Sequence, residues 1–474
     1  MFRDKIPIKG IAVTFRDVVL IPGKSPVDPI EVDVSTNVTK GLRINIPLVS
    51  SPMDTVTESR LAIALARLGG VGVVHRNMTI DEEFSEVKAV KEAPQYPIRP
   101  LYVEPGETAQ DALNKARLSN VDALPVVSEG QVVGLVKRSA LISSSPNAKV
   151  AELASKPIIA DADLGPGELM NIMVKAGVDS VALVKGGVYV GTVTYYDLSE
   201  QVKPPFKPSI GLDGRLMVGA AISPFDLERA VKLSKVADFL VVDVAHIDNE
   251  KALASLRRLV KEVGVEVVVG NLGTYEGAVD VLTTVEPVGG LRVGIASGSI
   301  CTTGVVTGVA APTLWAVAQV ADAAWDYGLR DIPIIADGGI REPGDAVKAF
   351  ALGAWAVMMG RFFAQSDESP SPIIRIGDRK YKYYRGMASE GARARRFAVD
   401  RYGPKVKNVE EGVEGLVPYR GPLADLVREF IGGIQASLGY IGARNIQEAW
   451  VKGRVAILTQ LGRGEVEPHD IYLG

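Results

Sequence analysis

The chain has 474 residues, a formal net charge of −3 and 47% hydrophobic residues, enough for one large domain with an insertion or for two to three ordinary domains. The near-neutral balance provides no basic field for nucleic acid. A single cysteine excludes an internal disulfide and any cysteine-rich metal site, and fits a reducing cytoplasm.

In chain order, the N-terminus MFRDKIPIKG is charged and lacks the long apolar core of a signal peptide. Short β-branched runs then recur: PLVSS (47–51), VGVVH (71–75), LMVGAA (216–221), FLVVDVA (239–245), VEVVVGN (265–271), LRVGI (291–295), PIIADGG (333–339) and AVMMG (356–360). Strands that are apolar almost throughout are buried on both faces, as in a parallel sheet. Helix-like segments lie between most of them, such as DLERAVKLSKV (226–236) and EPGDAVKAFALGA (342–354). Eight βα units predict an α/β fold, a TIM (β/α)8 barrel, whose chemistry sits where strands end. Asp243, Asn271, Asp337, Gly360 and the loop holding Cys301 cluster at those ends. The most membrane-like stretch, 305–321, is broken by Pro312 and carries Thr307, Thr313 and Gln319, so it reads as loop and helix in a globular core, with no membrane span. His75, His246 and His469 are too scattered for a readable metal cluster.

The strand spacing breaks once, between about 95 and 205. VDALPVV from Val121 and VDSVALV from Val178 lie 57 residues apart, and GQVVGLV (130–136) matches GVYVGTV (187–193) at the same offset. Pro94, Pro97, Pro100, Pro204, Pro205 and Pro208 bracket this interval and stiffen its connections. The expected organisation is therefore a barrel in two parts, 1–94 and 206–474, with residues 95–205 inserted. The repeat resembles a tandem CBS (Bateman) pair, which implies an adenine nucleotide as a ligand. Its second copy ends in Thr194-Tyr195-Tyr196-Asp197, similar to the T-x-x-D ending whose Thr and Asp meet phosphate and ribose. The first copy ends in Lys137-Arg138-Ser139 and lacks it, so at most one well-formed adenylate site is expected. The alternative is a lobe that only packs and spaces.

The only cysteine lies in Gly298-Ser299-Ile300-Cys301-Thr302-Thr303. Gly294 and Gly298 allow a tight turn, and Thr302 and Thr303 set hydroxyls beside the sulfur. A thiol in such a polar loop after a barrel strand reads as a nucleophile, against the alternative of a small buried apolar residue.

The stretch VGIASGSICTT resembles the active-site loop of the IMP dehydrogenase family, within the wider IMP dehydrogenase/GMP reductase group. FRDVVLIP (15–22), residues 46–78, IIADGGIREPGDAVKAFALGA (334–354), YYRGMAS (383–389) and RYGPKVKNVEEGVEGLVPYRG (401–421) extend the likeness over nearly the whole chain. The resemblance implies NAD-dependent oxidation of IMP to XMP. Cys301 would attack the purine C2. Thr303, Arg401 and Tyr402 would serve hydrolysis of the adduct, either Arg401 acting as base or Thr303 relaying the proton. Gly338, Gly339 and Gly360 would give backbone N–H groups to the phosphate, with Ser299 and Arg361 as further donors. Asp337 would accept from the ribose hydroxyls. Ser51, Met53, Tyr384, Gly386, Met387 and Glu411 would line the base and phosphate. Asp243, Asn271 and Gly294 would meet NAD. Carbonyls of Gly294, Ala296 and Cys301 would hold potassium, completed by Glu465, Val466 and Glu467 of a neighbouring subunit, which implies a homotetramer or octamer.

Four positions depart from the family pattern. Ala296 and Ile247 stand where glycine is usual, Gly304 replaces a larger polar residue, and Arg361 follows Gly360 where serine usually touches phosphate, so that it would either bind phosphate more strongly or point away and leave a donor missing. Two rival functions follow: NADPH-driven GMP reduction, which shares the barrel and cysteine, and a weakly catalytic nucleotide-sensing paralogue.

Overall fold

The computed structural model describes residues 1–5, 10–202, 205–394, 397 and 410–468. All eight expected strands form one closed parallel barrel: β1 (Leu48–Ser50), β2 (Val71–Val74), β3 (Val218–Ile222), β4 (Phe239–Val242), β5 (Glu266–Leu272), β6 (Gly290–Val293), β7 (Ile334–Asp337) and β8 (Ala356–Met359). β8 closes on β1 through Val357 opposite Leu48. β2 pairs with β3 through Gly72 opposite Val218, so the ladder continues across the insertion. Alternate strand residues point inward, and Val49, Val71, Val73, Met217, Phe239, Val241, Val268, Ile335 and Met358 fill the interior as one cluster. Fully burying such a side chain stabilises the fold by about 1.5–3 kcal/mol. The barrel is therefore a packed core, and ligands are confined to its mouth.

The outer helices obey the same local rules. Glu250–Glu262 begins at Asn249, whose side chain accepts from the Lys251 and Ala252 N–H groups at 3.1 and 3.2 Å. Its Leu253, Leu256, Leu259 and Val260 fall on one buried face. The apolar stretch 305–321 is split between Thr303–Thr307 and Thr313–Asp326. Among the described residues no helix is long and apolar enough to cross a membrane.

After β8 comes an element the sequence reading did not anticipate. Strands Ile373–Ile376, Arg379–Arg385 and Glu414–Pro418 form an antiparallel sheet with Tyr384 opposite Gly415.

The chain divides into Met1–Glu92 with Ser209–Gly474, and Ala93–Pro208. The second unit takes in the flanking prolines Pro94 and Pro208 and so runs slightly longer than 95–205. It contains two helix–hairpin–helix copies. The first is Ala109–Ser119, Ala123–Ser128, Gln131–Lys137 and Arg138–Ser143; the second is Pro166–Ala176, Ser180–Lys185, Val188–Thr194 and Tyr195–Val202. Both hairpins turn through two residues of positive φ, Glu129-Gly130 and Gly186-Gly187, as a type I′ connection requires.

Candidate active site

The mouth is built from strand ends. Ser51 and Met53 follow β1, Asn271 lies in β5, Gly294 to Cys301 follow β6, Asp337 ends β7, and Gly360 follows β8. They enclose a cavity of about 170 Å3. Its lining includes Cys301 and Thr303, and all twelve residues expected to meet the nucleotide: Ser51, Met53, Ser299, Asp337, Gly338, Gly339, Gly360, Arg361, Tyr384, Gly386, Met387 and Glu411. Asn271, Gly294 and Ala296 line it as well.

The cysteine loop is fixed from two sides. At its start, Ser297 Oγ and Thr313 Oγ1 both donate to the Asp337 carbonyl, at 3.1 and 2.9 Å. At its end it pairs with the segment preceding the last strand of the small sheet: the Thr302 N–H donates to the Glu411 carbonyl at 3.1 Å, and the Val413 N–H donates to the Ile300 carbonyl at 3.0 Å. Cys301 is half-buried, and its Sγ lies 3.2 Å from Thr303 Oγ1. A hydroxyl at that distance can exchange a proton with the thiol or with a group bound to it.

Two glycines are required by geometry. Gly338 has φ +87°, and a Cβ there would stand 2.8 Å from Ser297 Oγ. A Cβ on Gly360 would lie 2.5 Å from the Tyr384 hydroxyl and 2.9 Å from Met53 Sδ. Burial pushes the Tyr384 phenol well above its ordinary pKa, against the opposing Ser299 hydroxyl and Arg361 charge, with Asp337 and Cys301 pushing the same way as burial. Tyr384 is therefore a protonated donor at any physiological pH. The Gly338 N–H already donates to the Met358 carbonyl at 3.3 Å, a long bond that leaves it only partly available to an anion. Arg361, next to Gly360, is exposed and lines the cavity.

Ala296 takes the left-handed conformation, φ 61°, in which alanine is strained by roughly 1–2 kcal/mol. Ala296→Gly is expected to stabilise the protein by about 0.5–1 kcal/mol, the relief being partly offset by glycine's extra unfolded-state entropy. Ala296→Val should destabilise it by about 1 kcal/mol. Urea midpoints of the three proteins check the opposite signs.

The residues expected to meet NAD differ in what they present. Asn271 is buried; its Nδ2 donates to the Gly294 carbonyl at 2.8 Å and to Asp337 Oδ2 at 2.9 Å, while its Oδ1 has no partner among the described residues. That leaves an acceptor suited to a carboxamide N–H. The β5–β6 ladder slips between Val269 and Leu272, an irregularity that re-aims Asn271 at the mouth. Asp243 lies outside the cavity lining, 1% exposed, with its Oδ1 bound by Arg292 at 3.0 Å and its Oδ2 3.7 Å from Arg76. A buried carboxylate needs such cations, so Asp243 is a support behind the site in this conformation. Sequence reading missed Arg292, which bridges Asp243 and Asp337; its signal was one charge inside the apolar run LRVGI.

Among the described residues no cluster of three or more His, Cys, Asp or Glu side chains could hold a metal. A cation here would rest on main-chain oxygens, and the Gly294 carbonyl is shared with Asn271. Glu465, Val466 and Glu467 are exposed at the end of Gln460–Glu465, away from the cavity of their own chain. Arg401 and Tyr402 lie outside the described residues. Ile247 is a fully buried core residue.

Within the inserted unit, Thr194 Oγ1 donates to Asp197 Oδ2 at 2.8 Å. Arg99 also grips that carboxylate, Nε to Oδ2 at 2.8 Å and Nη2 to Oδ1 at 2.6 Å. Both oxygens that would meet a ribose are thus already engaged.

A closed (β/α)8 barrel whose mouth holds one thiol in a cavity lined by polar and apolar groups has the framework of a barrel enzyme. The profile of the IMP dehydrogenase / GMP reductase domain matches residues 12–469, and the chain belongs to that family. It is 45% identical to the inosine-5'-monophosphate dehydrogenase of Korarchaeum cryptofilum over 97% of both chains. It is 42% identical to that of Thermoplasma acidophilum, over 100% of this chain and 97% of the other. A crystal structure of a cysteine-to-alanine variant of GMP reductase from Trypanosoma brucei, in complex with guanosine 5'-monophosphate, superimposes with a TM-score of 0.73 at 31% identity, covering 99% of this chain and 100% of the other.

Proposed function

We propose that the chain oxidises IMP to XMP through a covalent bond from Cys301 to the purine C2. The observation that carries this reading is the sharing of one cavity by the sole thiol and the twelve nucleotide-contacting candidates. The full-length relatives named inosine-5'-monophosphate dehydrogenase support it.

The deprotonated sulfur adds to C2. Loss of hydride from C2 leaves a thioimidate, and addition of water followed by C–S cleavage releases XMP and restores the thiol. NAD, met by Asn271 and Gly294 with Asp243 behind them, supplies the hydride acceptor when bound. Asp337 orients the ribose, while Gly338, Gly339, Gly360, Ser299 and Arg361 take the phosphate. Met53, Tyr384, Gly386, Met387 and Glu411 surround the base, with Ser51 beneath. Thr303 sits at the sulfur to move the proton, and Arg401 and Tyr402 activate the water. A potassium ion on the carbonyls of Gly294, Ala296 and Cys301, completed by Glu465, Val466 and Glu467 of a neighbouring subunit, steadies the loop in a homotetramer or octamer. An adenine nucleotide binds the inserted lobe at Thr194 and Asp197 only if it displaces Arg99.

The likeness to GMP reductase structures gives the rival a concrete form. Purified protein with IMP, NAD and potassium should generate reduced cofactor, and GMP with NADPH should leave absorbance unchanged. The reverse result makes the chain a reductase; silence in both makes it a sensor.

A further inference from the structure

Four barrel strands or the residues just after them carry a largely buried polar chain in which charges alternate. Arg76 lies against Asp243, Asp243 against Arg292, and Arg292 against Asp337. Arg292 projects from within β6 and is 3% exposed. Two different edges of its guanidinium are used: Nη1 donates to Asp243 Oδ1 at 3.0 Å and Nε donates to Asp337 Oδ2 at 2.9 Å. Asn271 Nδ2 donates to that same Asp337 oxygen at 2.9 Å. Asp337 Oδ2 thus carries two donors, while its Oδ1 takes none from the described residues, and Asp337 is one of the residues that line the cavity.

We infer that Arg292 is a positioning residue: by holding Asp337 Oδ2, it turns Oδ1 toward the ribose hydroxyls and sets how strongly the site prefers a ribonucleotide over its deoxy form. The inference rests on the proposed reading of Asp337 as the ribose acceptor. A planar fork anchored at two carboxylates fixes the carboxylate plane, because rotating Asp337 breaks the Nε–H bond and the Asn271 bond together. Lysine keeps the charge but is a single point donor, unable to span both carboxylates with fixed geometry. Alanine would leave the buried carboxylate of Asp243 and the half-buried one of Asp337 without their shared cation and so risks the fold itself. Arg292→Lys is therefore the informative variant.

The test is binding of IMP and of 2′-deoxy-IMP to the purified full chain by calorimetry without cofactor, beside thermal unfolding of each variant. In the wild type IMP should bind far more tightly than the deoxy compound. In Arg292→Lys, IMP should weaken roughly 10- to 100-fold, the worth of a well-aligned charge-assisted hydrogen bond, and the deoxy compound less than about threefold. Asp337→Asn should flatten the same preference. A merely structural role would weaken both ligands alike, and equal losses, or none, in Arg292→Lys overturn the assignment. A wild type that binds no IMP overturns the functional reading itself, and the assignment with it; a wild type that binds IMP no better than 2′-deoxy-IMP overturns the ribose role of Asp337 alone.

Discussion

Replacing Cys301 with alanine is expected to reduce turnover by at least about 10⁴-fold, equivalent to roughly 5.5 kcal/mol of lost transition-state stabilisation. No other residue in the chain carries a thiol, so nothing else can substitute for the sulfur. The fold should survive. Cys301 is only half-buried, and its Sγ lies 3.2 Å from Thr303 Oγ1. Truncation should therefore cost about 1 kcal/mol or less in stability. Mass spectrometry of acid-quenched, turning-over wild type should show one added nucleotide on the peptide holding Cys301, absent from Cys301→Ala. Iodoacetamide should add a single equivalent and silence the enzyme in proportion, with IMP protecting. An alkylated protein that still forms product would remove the nucleophile from the mechanism.

The barrel was legible because its strands are short, apolar on both faces and regularly spaced, which little else in a globular protein imitates. The cysteine loop was legible because glycine, serine and threonine around one thiol form a dense local pattern. What sequence did not disclose was pairing at a distance. Asp243 sits at a strand end as expected, yet which way its carboxylate turns depends on Arg76 and Arg292, far away in the chain. Asp197 in its T-x-x-D ending reads as a ribose acceptor until Arg99, 98 residues upstream, is found on both oxygens. The small sheet went unseen because its central strand, RKYKYYR, alternates charge and aromatic weakly; the available signal was the turn at Gly377, φ +58°, between Ile373–Ile376 and Arg379–Arg385. Arg401 and Tyr402 fall outside the described residues, so the hydrolytic half rests on the likeness of their sequence.

Asp54→Ala is expected to destabilise the protein by about 3–5 kcal/mol, the usual cost of stripping one partner from a buried ion pair. Asp54 follows β1 with a side chain only 1% exposed, against 16% for Arg385. Arg385 Nε and Nη2 donate to Asp54 Oδ1 and Oδ2 at 3.0 and 2.5 Å. Asn77 Nδ2 donates to Asp54 Oδ2 at 2.8 Å and to the Ala392 carbonyl at 3.0 Å. These bonds join the loop bearing Ser51 and Met53 to the segment bearing Tyr384, Gly386 and Met387, so the two walls around the base should separate without them. KM for IMP should rise about tenfold or more. Burial pushes the Asp54 carboxyl up, but the Arg385 guanidinium and the Asn77 amide outweigh it and hold the group below its ordinary range. A carboxyl with a folded pKa below its unfolded value, about 3.9, binds protons more readily when unfolded. Its contribution is fully present above about pH 5 and drains away as pH falls through the depressed folded pKa. The gap in urea midpoint between wild type and Asp54→Ala should accordingly be narrower at pH 3 than at pH 7, by up to about 1 kcal/mol in stability. A gap of constant width across that range would assign the loss to packing and leave the ion pair without a role in holding the site together.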